Sequence, residues 1–477
     1  MQAARDHPGC DRRERGPLAE LVLLAIPTVA QMASYTVMQF IDTWLLAQIS
    51  DQAATAASNS GIFAWSAISF GMGVLALVNT LVSQNFGRRD LLACGSYLWQ
   101  GIWFGVFYSA LLFPMVLLVE RAFAGFGHSA SLLHMEQLYL RIVVLSSVVK
   151  FAGAAMGQFL LAVDRPRYVL ISALAGVTVN VGAACLLVLG WLGVPRMGVA
   201  GAAWAQNIGV TVEMLTLVYF VTRPMVRRTY NVGGWRLRTR ELRTLLATGV
   251  PSGIQYLVDV LAWGLFAAWI IAFLGDKAMA ANTYVFRFMS VSFMPAIGIG
   301  TAVTALVGRH IGAGRADLAS RRAHLGFALS VMYMGICGLV YFFGRGPLMS
   351  LFTSDPEVHR MGTVLLVFAA VYQCFDAMYI IYIGALRGAG DTLVPAIVTG
   401  ILNWSLTLGG GYVMARFVPG LGMAGPWISA TAYGIALGLF MLIRFRLGGW
   451  RSINLVRNAS SKMEGASAKV EGPVCCD

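Results

Sequence analysis

Charge is scarce in this chain. Only 12% of its 477 residues are Asp, Glu, Lys or Arg, about half the ~25% of a soluble domain. That is too little to cover the surfaces of several water-soluble globules, so the length does not read as a string of such domains. The 15 prolines are sparse and the 53 glycines scattered, which excludes a collagen-like or low-complexity chain. The cysteines are Cys10, Cys94, Cys185, Cys337, Cys374, Cys475 and Cys476, with none at metal-ligand spacing. Four lie in or beside apolar helices, where Cys acts as a small hydrophobe. Cys475 and Cys476 sit in a polar tail without a prenylation box. No patch interleaves Lys and Arg with exposed aromatics, which argues against nucleic acid as a partner. What the chain has is apolar residues, 58% of the total. The class is a polytopic α-helical membrane protein.

Twelve apolar stretches are long enough for the ~20 residues that cross a bilayer. They fall at 18–47, 56–84, 95–120, 136–163, 168–193, 198–222, 244–275, 278–308, 323–346, 360–386, 391–417 and 423–445. The first run is too long for a cleaved signal. Net charge is 35 − 22 = +13. Most Lys and Arg gather on one side if both termini are cytoplasmic. Arg12, Arg13 and Arg15, Arg88 and Arg89, Arg165 and Arg167, and Arg309, Arg315, Arg321 and Arg322 all fall there, as the positive-inside rule requires. The connector after span six, TRPMVRRTYNVGGWRLRTRELR, carries seven arginines and reads as a linker lying on lipid head groups.

The halves repeat. AIPTVAQ at 25–31 returns as GVPSGIQ at 249–255, LVSQNFG at 81–87 as LVGRHIG at 306–312, and GVAGAAW at 198–204 as GMAGPWI at 422–428. The predicted architecture is all-α and integral to the membrane, with twelve transmembrane helices in two pseudo-symmetric six-helix bundles. Its parts are a cytoplasmic N-terminal segment (1–17), an N-terminal bundle (18–222), an Arg-rich cytoplasmic linker (223–243), a C-terminal bundle (244–445) and a cytoplasmic polar tail (446–477). An even number of spans per half makes the repeats parallel, the plan of an alternating-access transporter with its site between the repeats.

Several motifs carry a resemblance. FIDTWLL at 40–46, LVSQNFGRRD at 81–90, LFTSDPEV at 351–358 and YQCFDAMYIIYIGALRGAGDT at 372–392 resemble the multidrug and toxic compound extrusion (MATE) transporters. The likeness covers about residues 17–445, and the acid in span seven with YQCFD in span ten is similar to the norfloxacin-exporter branch. It implies export of organic, often cationic, amphipathic compounds against inward Na⁺ or H⁺, from the cytoplasmic membrane, by a monomer that uses no enzyme chemistry and no cofactor beyond the coupling ion.

Charges deep in a span cost ~2.5–3.5 kcal/mol or more and mark function. Six qualify here: Asp42, Lys150, Glu213, Asp259, Arg287 and Asp376. Asp376 lies in span ten, with Tyr372 one turn earlier on the same face. Asp259 sits at similar depth in span seven, with Gln255 and Trp263 on its face. A carboxylate beside a phenol suits a hard cation or a proton. The resemblance places Asp259, Tyr372 and Asp376 at the family's cation-coupling positions, with Asp259 and Asp376 holding Na⁺ if sodium is the ion. This chain has Asp in span seven where the branch usually has Glu, which leaves the ion open. A structural pairing of Asp259 or Asp376 with Arg287 is the alternative.

Asp42 occupies the family's FIDT acid position and Asn180 a neighbouring polar one. The position four residues on, acidic in some relatives, is Ala184, so the second bundle is favoured as the main site. Lys150, which the repeat register sets opposite Asp376, is read as a partner for Asp42, a tuner of cavity charge, or a snorkelling surface lysine. Glu213 is given no role. Pro27 and Pro251, at repeat-related places inside their spans, read as pivots or as packing bends. A lipid-linked oligosaccharide flippase of the same broader superfamily stays as the rival, beside an intramembrane transferase and a channel. For those two, neither a paired-acid metal motif nor a filter segment is present.

Overall fold

The computed structural model describes residues 16–47, 49, 51–125, 130–193, 195–453 and 455. Cys10, the Arg12, Arg13 and Arg15 cluster, Cys475 and Cys476 and most of the tail lie outside the described residues.

Every predicted span is helical. The helices are α1 Pro17–Ala47, α2 Asp51–Gly87, α3 Leu91–Gly125, α4 (Ala130–Leu145 and Ser147–Ala162), α5 Pro166–Leu189, α6 Gly198–Thr222, α7 from Thr239–Leu265 through Ile271–Leu274, α8 Asp276–Gly312, α9 Ala316–Phe343, α10 Pro356–Ala389, α11 from Leu393–Leu402 through Gly411–Phe417, and α12 Ala424–Leu447. Ten of these are long and apolar enough to cross a membrane, and α4 is an eleventh span bent by 44°. The remaining helix, α6, has 25 residues, enough to span, but carries Gln206, Asn207 and Glu213 along its length. The sequence predicted one continuous run over 136–163, and the bend in α4 was not visible there.

Side chains fill the α4 bend. Ser146 Oγ and Lys150 Nζ both donate to the Val143 carbonyl, at 3.0 and 3.3 Å, and Asn207 Nδ2 on α6 donates to the Ile142 carbonyl at 2.6 Å. A break in the i→i−4 ladder frees carbonyls that lipid cannot satisfy, and these donors replace the lost bonds.

The bundles share the same internal plan. In the N-terminal half α2 packs on α3 and α4, and α5 pairs with α6. In the C-terminal half α8 packs on α9 and α10, and α11 lies on α12. Each half also lends its first helix to the other, since α1 packs on α8 and α7 on α2. Leu21, Leu24 and Ala25 of α1 are buried in one apolar cluster with Val303, Leu306 and Val307 of α8, while Leu245 of α7 is buried with α2 residues such as Val74 and Leu77. Lipid tails supply no hydrophobic drive for such contacts, so close approach of backbones matters more. Two repeat-related glycines permit it. A Cβ on Gly298 would stand 2.7 Å from the Val29 nitrogen, and one on Gly73 would stand 2.7 Å from the Ser252 carbonyl oxygen. At the first crossing Thr28 Oγ1 donates to the Gly298 carbonyl at 2.9 Å.

The bundles are tied together at the end that carries the start of α1 and the close of α2, α8 and α10. There Arg322 donates to Glu20 at 2.8 Å, and Arg309 lies between Glu20 at 3.7 Å and Asp164 at 3.6 Å. Thr80 and Gln84 of α2 donate to the Arg387 and Gly388 carbonyls at 2.9 and 3.0 Å. The Arg-rich linker docks on α3 at the same end, its carbonyls at Val232 and Trp235 accepting from the indoles of Trp99 at 2.6 Å and Trp103 at 3.1 Å.

Candidate ion-coupling site

Four helices of the C-terminal bundle build the site. Helix α7 presents Gln255, Asp259 and Trp263 at successive one-turn steps, as their spacing predicted. Helix α10 presents Tyr372, Asp376 and Tyr379 from one face. Its start is fixed by Asp355, whose carboxylate accepts the backbone N–H of Glu357 at 2.8 Å and of Val358 at 3.4 Å. Those backbone bonds, with Lys277 next to them, hold the Asp355 carboxyl below its usual value.

The two acids are treated very differently by their surroundings. Asp259 accepts three hydrogen bonds: from the Tyr379 hydroxyl at 3.0 Å, Asn403 Nδ2 at 2.8 Å and the Tyr433 hydroxyl at 3.3 Å. Asn403 opens the stretch Asn403–Gly410, in which α11 widens to a π-helix. Such widened turns re-aim side chains and often mark functional sites. Asp376 is 5% exposed and accepts no hydrogen bond from any described residue. It lies near enough to Asp259 for the two charges to act on one another, and Tyr372 stands within reach of both. Trp263 closes the site edge-on, 6.1 Å from the Tyr372 ring and 6.2 Å from the Tyr433 ring. A Cβ on Gly434 would meet the Tyr372 ring, so the glycine is what admits the phenol.

Beneath Asp259 the polar contacts continue towards the joined end. Gln255 Nε2 donates to the Tyr379 hydroxyl at 3.2 Å and to Thr399 at 3.3 Å, and Gln255 Oε1 accepts from Arg387 at 3.5 Å. The Arg387 guanidinium also lies 5.1 Å from the centre of the Tyr256 ring.

The structure therefore brings Asp259, Asp376, Tyr372 and Gln255 together. Arg287 is not part of the group. Its side chain is exposed and forms no ion pair with Asp259 or Asp376, so the pairing alternative fails. Lys150 forms no ion pair with Asp42, because its ammonium is spent on the carbonyl freed at the α4 bend. Asp42 and Asn180 are neighbours in the N-terminal bundle. Both amide atoms of Asn180 and Oδ1 of Asp42 are buried without a hydrogen-bond partner. Among the described residues no three His, Cys, Asp or Glu side chains gather as a metal site. A sodium ion held here would have the Asp259 and Asp376 carboxylates, the Tyr372 hydroxyl and the buried, unpartnered Oδ1 of Asn403 to draw on. Sequence reasoning missed Tyr379, Asn403 and Tyr433. Tyr379 was within reach, seven residues beyond Tyr372 on the same helix face.

A duplicated helical chain, tied at one end, with a pair of neighbouring acids enclosed in one bundle, is a multi-pass membrane transporter. Comparison with known proteins agrees. The MatE family model matches residues 27–186 and 251–413, one stretch in each bundle. A probable multidrug resistance protein NorM from Chromobacterium violaceum is 29% identical over 429 residues, covering 88% of this chain and 92% of the relative. A protein of the same description from Mesorhizobium japonicum is 27% identical over 446 residues, covering 91% and 94%. Among solved structures, an outward-facing multidrug resistance MATE family transporter of the MOP superfamily aligns with TM-score 0.84 at 16% identity, over 92% of this chain and 97% of that one. A MOP superfamily transporter from Pyrococcus furiosus aligns with TM-score 0.82 at 17% identity, over the same shares. The chain belongs to the MatE family. That family is one of transporters and not of enzymes, and the flippase and transferase readings are not favoured.

Proposed function

We propose that the chain sits in the cytoplasmic membrane with both termini inside, works as a monomer among lipids, and exports drug-like, often cationic compounds in exchange for inward Na⁺ or H⁺ bound at Asp376, with Asp259 and Tyr372 beside it. The reading rests on one observation, the contrast between a saturated Asp259 and a bare Asp376. Three donors satisfy the oxygens of Asp259. A second buried carboxylate close by, with no donor, is costly unless a proton or a cation joins it. An ion entering from outside supplies that partner. A cationic drug competes for the same charge, so whatever the ion does to drug affinity, the drug does to ion affinity.

Helix α10 carries the consequence to the bundle seam. It holds Asp376 at mid-length, and the carbonyls of its last turn accept from Thr80 and Gln84 of the other half. A shift of α10 on ion binding is therefore felt where the bundles are joined. The test is efflux of a fluorescent lipophilic cation from vesicles driven by a Na⁺ gradient alone, then by a pH gradient alone. One gradient drives it in the wild type, and neither drives it in Asp376→Asn. Equal efflux in that variant removes Asp376 from the mechanism.

A further inference from the structure

A half-buried acid, Glu213, lies in the N-terminal bundle outside the centre described above. It sits on α6, and its carboxylate accepts a hydrogen bond from the Tyr35 hydroxyl of α1. Gln31, one turn earlier on α1, donates to the Tyr35 oxygen at 3.2 Å. The three side chains form a directed chain of donors, Gln31 to Tyr35 to Glu213, that ends on a carboxylate. Small residues make the place for it. A Cβ on Gly176 of α5 would stand 2.9 Å from the Glu213 Cβ, and one on Gly209, a turn earlier on α6, would stand 2.8 Å from the Gly176 carbonyl oxygen. Glycine at both positions lets α5 and α6 close to near backbone contact and turns Glu213 towards α1 instead of lipid.

We propose that Glu213, held by Tyr35, is a proton-binding site of the N-terminal bundle, separate from the Asp259–Asp376 centre. Two observations carry it. First, a carboxylate inside a membrane bundle is expensive, and one phenolic donor satisfies it less completely than the three donors of Asp259. Second, Asn180 lies on the same α5–α6 seam one turn from Gly176. It is fully buried, and neither its amide oxygen nor its amide nitrogen has a partner. Orphaned polar atoms at such a seam call for water, and water is what delivers a proton. Glu213 itself keeps part of its surface accessible, as a group that exchanges protons must.

The ligand is a proton and not a metal cation. Hard cations gather about six or more oxygens, and among the described residues Tyr35 is the one hydroxyl bonded to this carboxylate. The groups facing Glu213 from its neighbours support the same choice. Helix α1 brings Tyr35 and, two turns on, Asp42. Helix α5 brings Gly176 and Asn180. Helix α4 brings Lys150, whose ammonium is bonded to the Val143 carbonyl, and carries Glu136, Tyr139 and Arg141 before its bend. Helix α2 has no titratable residue after Asp51. Among the described residues Glu213 makes no ion pair. Protonation converts the carboxylate to a neutral acid, the Tyr35 hydroxyl loses its anionic acceptor, and no other bond forms or breaks.

The test uses the full-length protein in lipid and reads carboxyl protonation by infrared difference spectroscopy across pH, beside pH-gradient-driven efflux of ethidium. The wild type shows a titrating carboxyl in addition to any that Asp376→Asn removes. Glu213→Gln deletes that band and lowers efflux by about tenfold or more. Tyr35→Phe keeps the band but moves its frequency, because the hydrogen bond is gone. If Glu213→Gln folds poorly, Glu213→Asp is read instead and displaces the band. A Glu213→Gln spectrum identical to that of the wild type overturns the proposal, as does unchanged efflux. So does a wild type with no titrating carboxyl beyond the one lost in Asp376→Asn. Because Asp376→Asn is read separately, failure of either site leaves the other standing.

Discussion

In the C-terminal bundle one acid has three hydrogen-bond donors and its neighbour has none, whereas in the N-terminal bundle Asp42 keeps a buried oxygen without a partner and Glu213 has a single phenol. The six-helix plan is the same in both halves, down to the exchange of first helices, so the fold does not dictate the difference. Side chains do. Helix α11 brings Asn403 to Asp259 through a widened turn, while α5, its counterpart, brings Asn180 to Asp42 without closing a hydrogen bond. A duplicated scaffold can thus set a saturated acid beside a bare one in one half and leave both acids of the other half partly satisfied. The larger contrast between neighbouring acids suits the C-terminal half to bind and release the coupling ion.

The largest expected effect breaks this contrast at its bare member. Asp376→Asn abolishes ion-driven efflux in vesicles, a loss of at least about tenfold, with the protein still folded. Next comes the loss of a donor from the satisfied member. Asn403→Ala leaves Asp259 with its two phenols and costs about 1–3 kcal/mol, read as a lower unfolding temperature in detergent. Wild-type stability in that variant would mean the Asn403 bond contributes nothing. The seam between the halves gives a third test. Gly298→Ala forces a methyl against the Val29 backbone, which cannot swing aside as a side chain would. It costs about 1–3 kcal/mol and slows transport without altering ion preference. A changed Na⁺ or pH dependence there would count against a purely steric role.

The smallest effects sharpen the comparison from the N-terminal side. Lys150→Met removes a donor from the α4 bend and costs about 1 kcal/mol in thermal stability, with the same ion dependence of efflux as the wild type. A shifted ion dependence would restore a charge-tuning role to Lys150. Arg287→Gln, on an exposed side chain, leaves transport unchanged, and a defect would reopen the pairing of Arg287 with the site acids.

The sequence carried the fold because lipid demands long apolar runs, and every predicted run is a helix. It did not carry the α4 bend. No proline marks it, and its replacement donors, Ser146, Lys150 and Asn207, meet only in three dimensions. Asp259, Asp376 and Tyr372 were legible as rare charged residues in spans with a phenol one turn away. Asn403 was not, since an asparagine in an apolar run does not announce a π-turn that re-aims it. Tyr433 was hidden for a similar reason, as one of 16 tyrosines with nothing local to single it out. Glu213 was visible as a charge but had no role, because its partner lies 178 residues away on α1.

The most direct test of the central claim is equilibrium binding of a fluorescent lipophilic cation to the purified full-length transporter, titrated separately with sodium and with acid. One of the two ions should weaken binding in the wild type and lose that influence in Asp376→Asn. Binding that is indifferent to both ions in the wild type, or equally sensitive in the variant, would contradict the account.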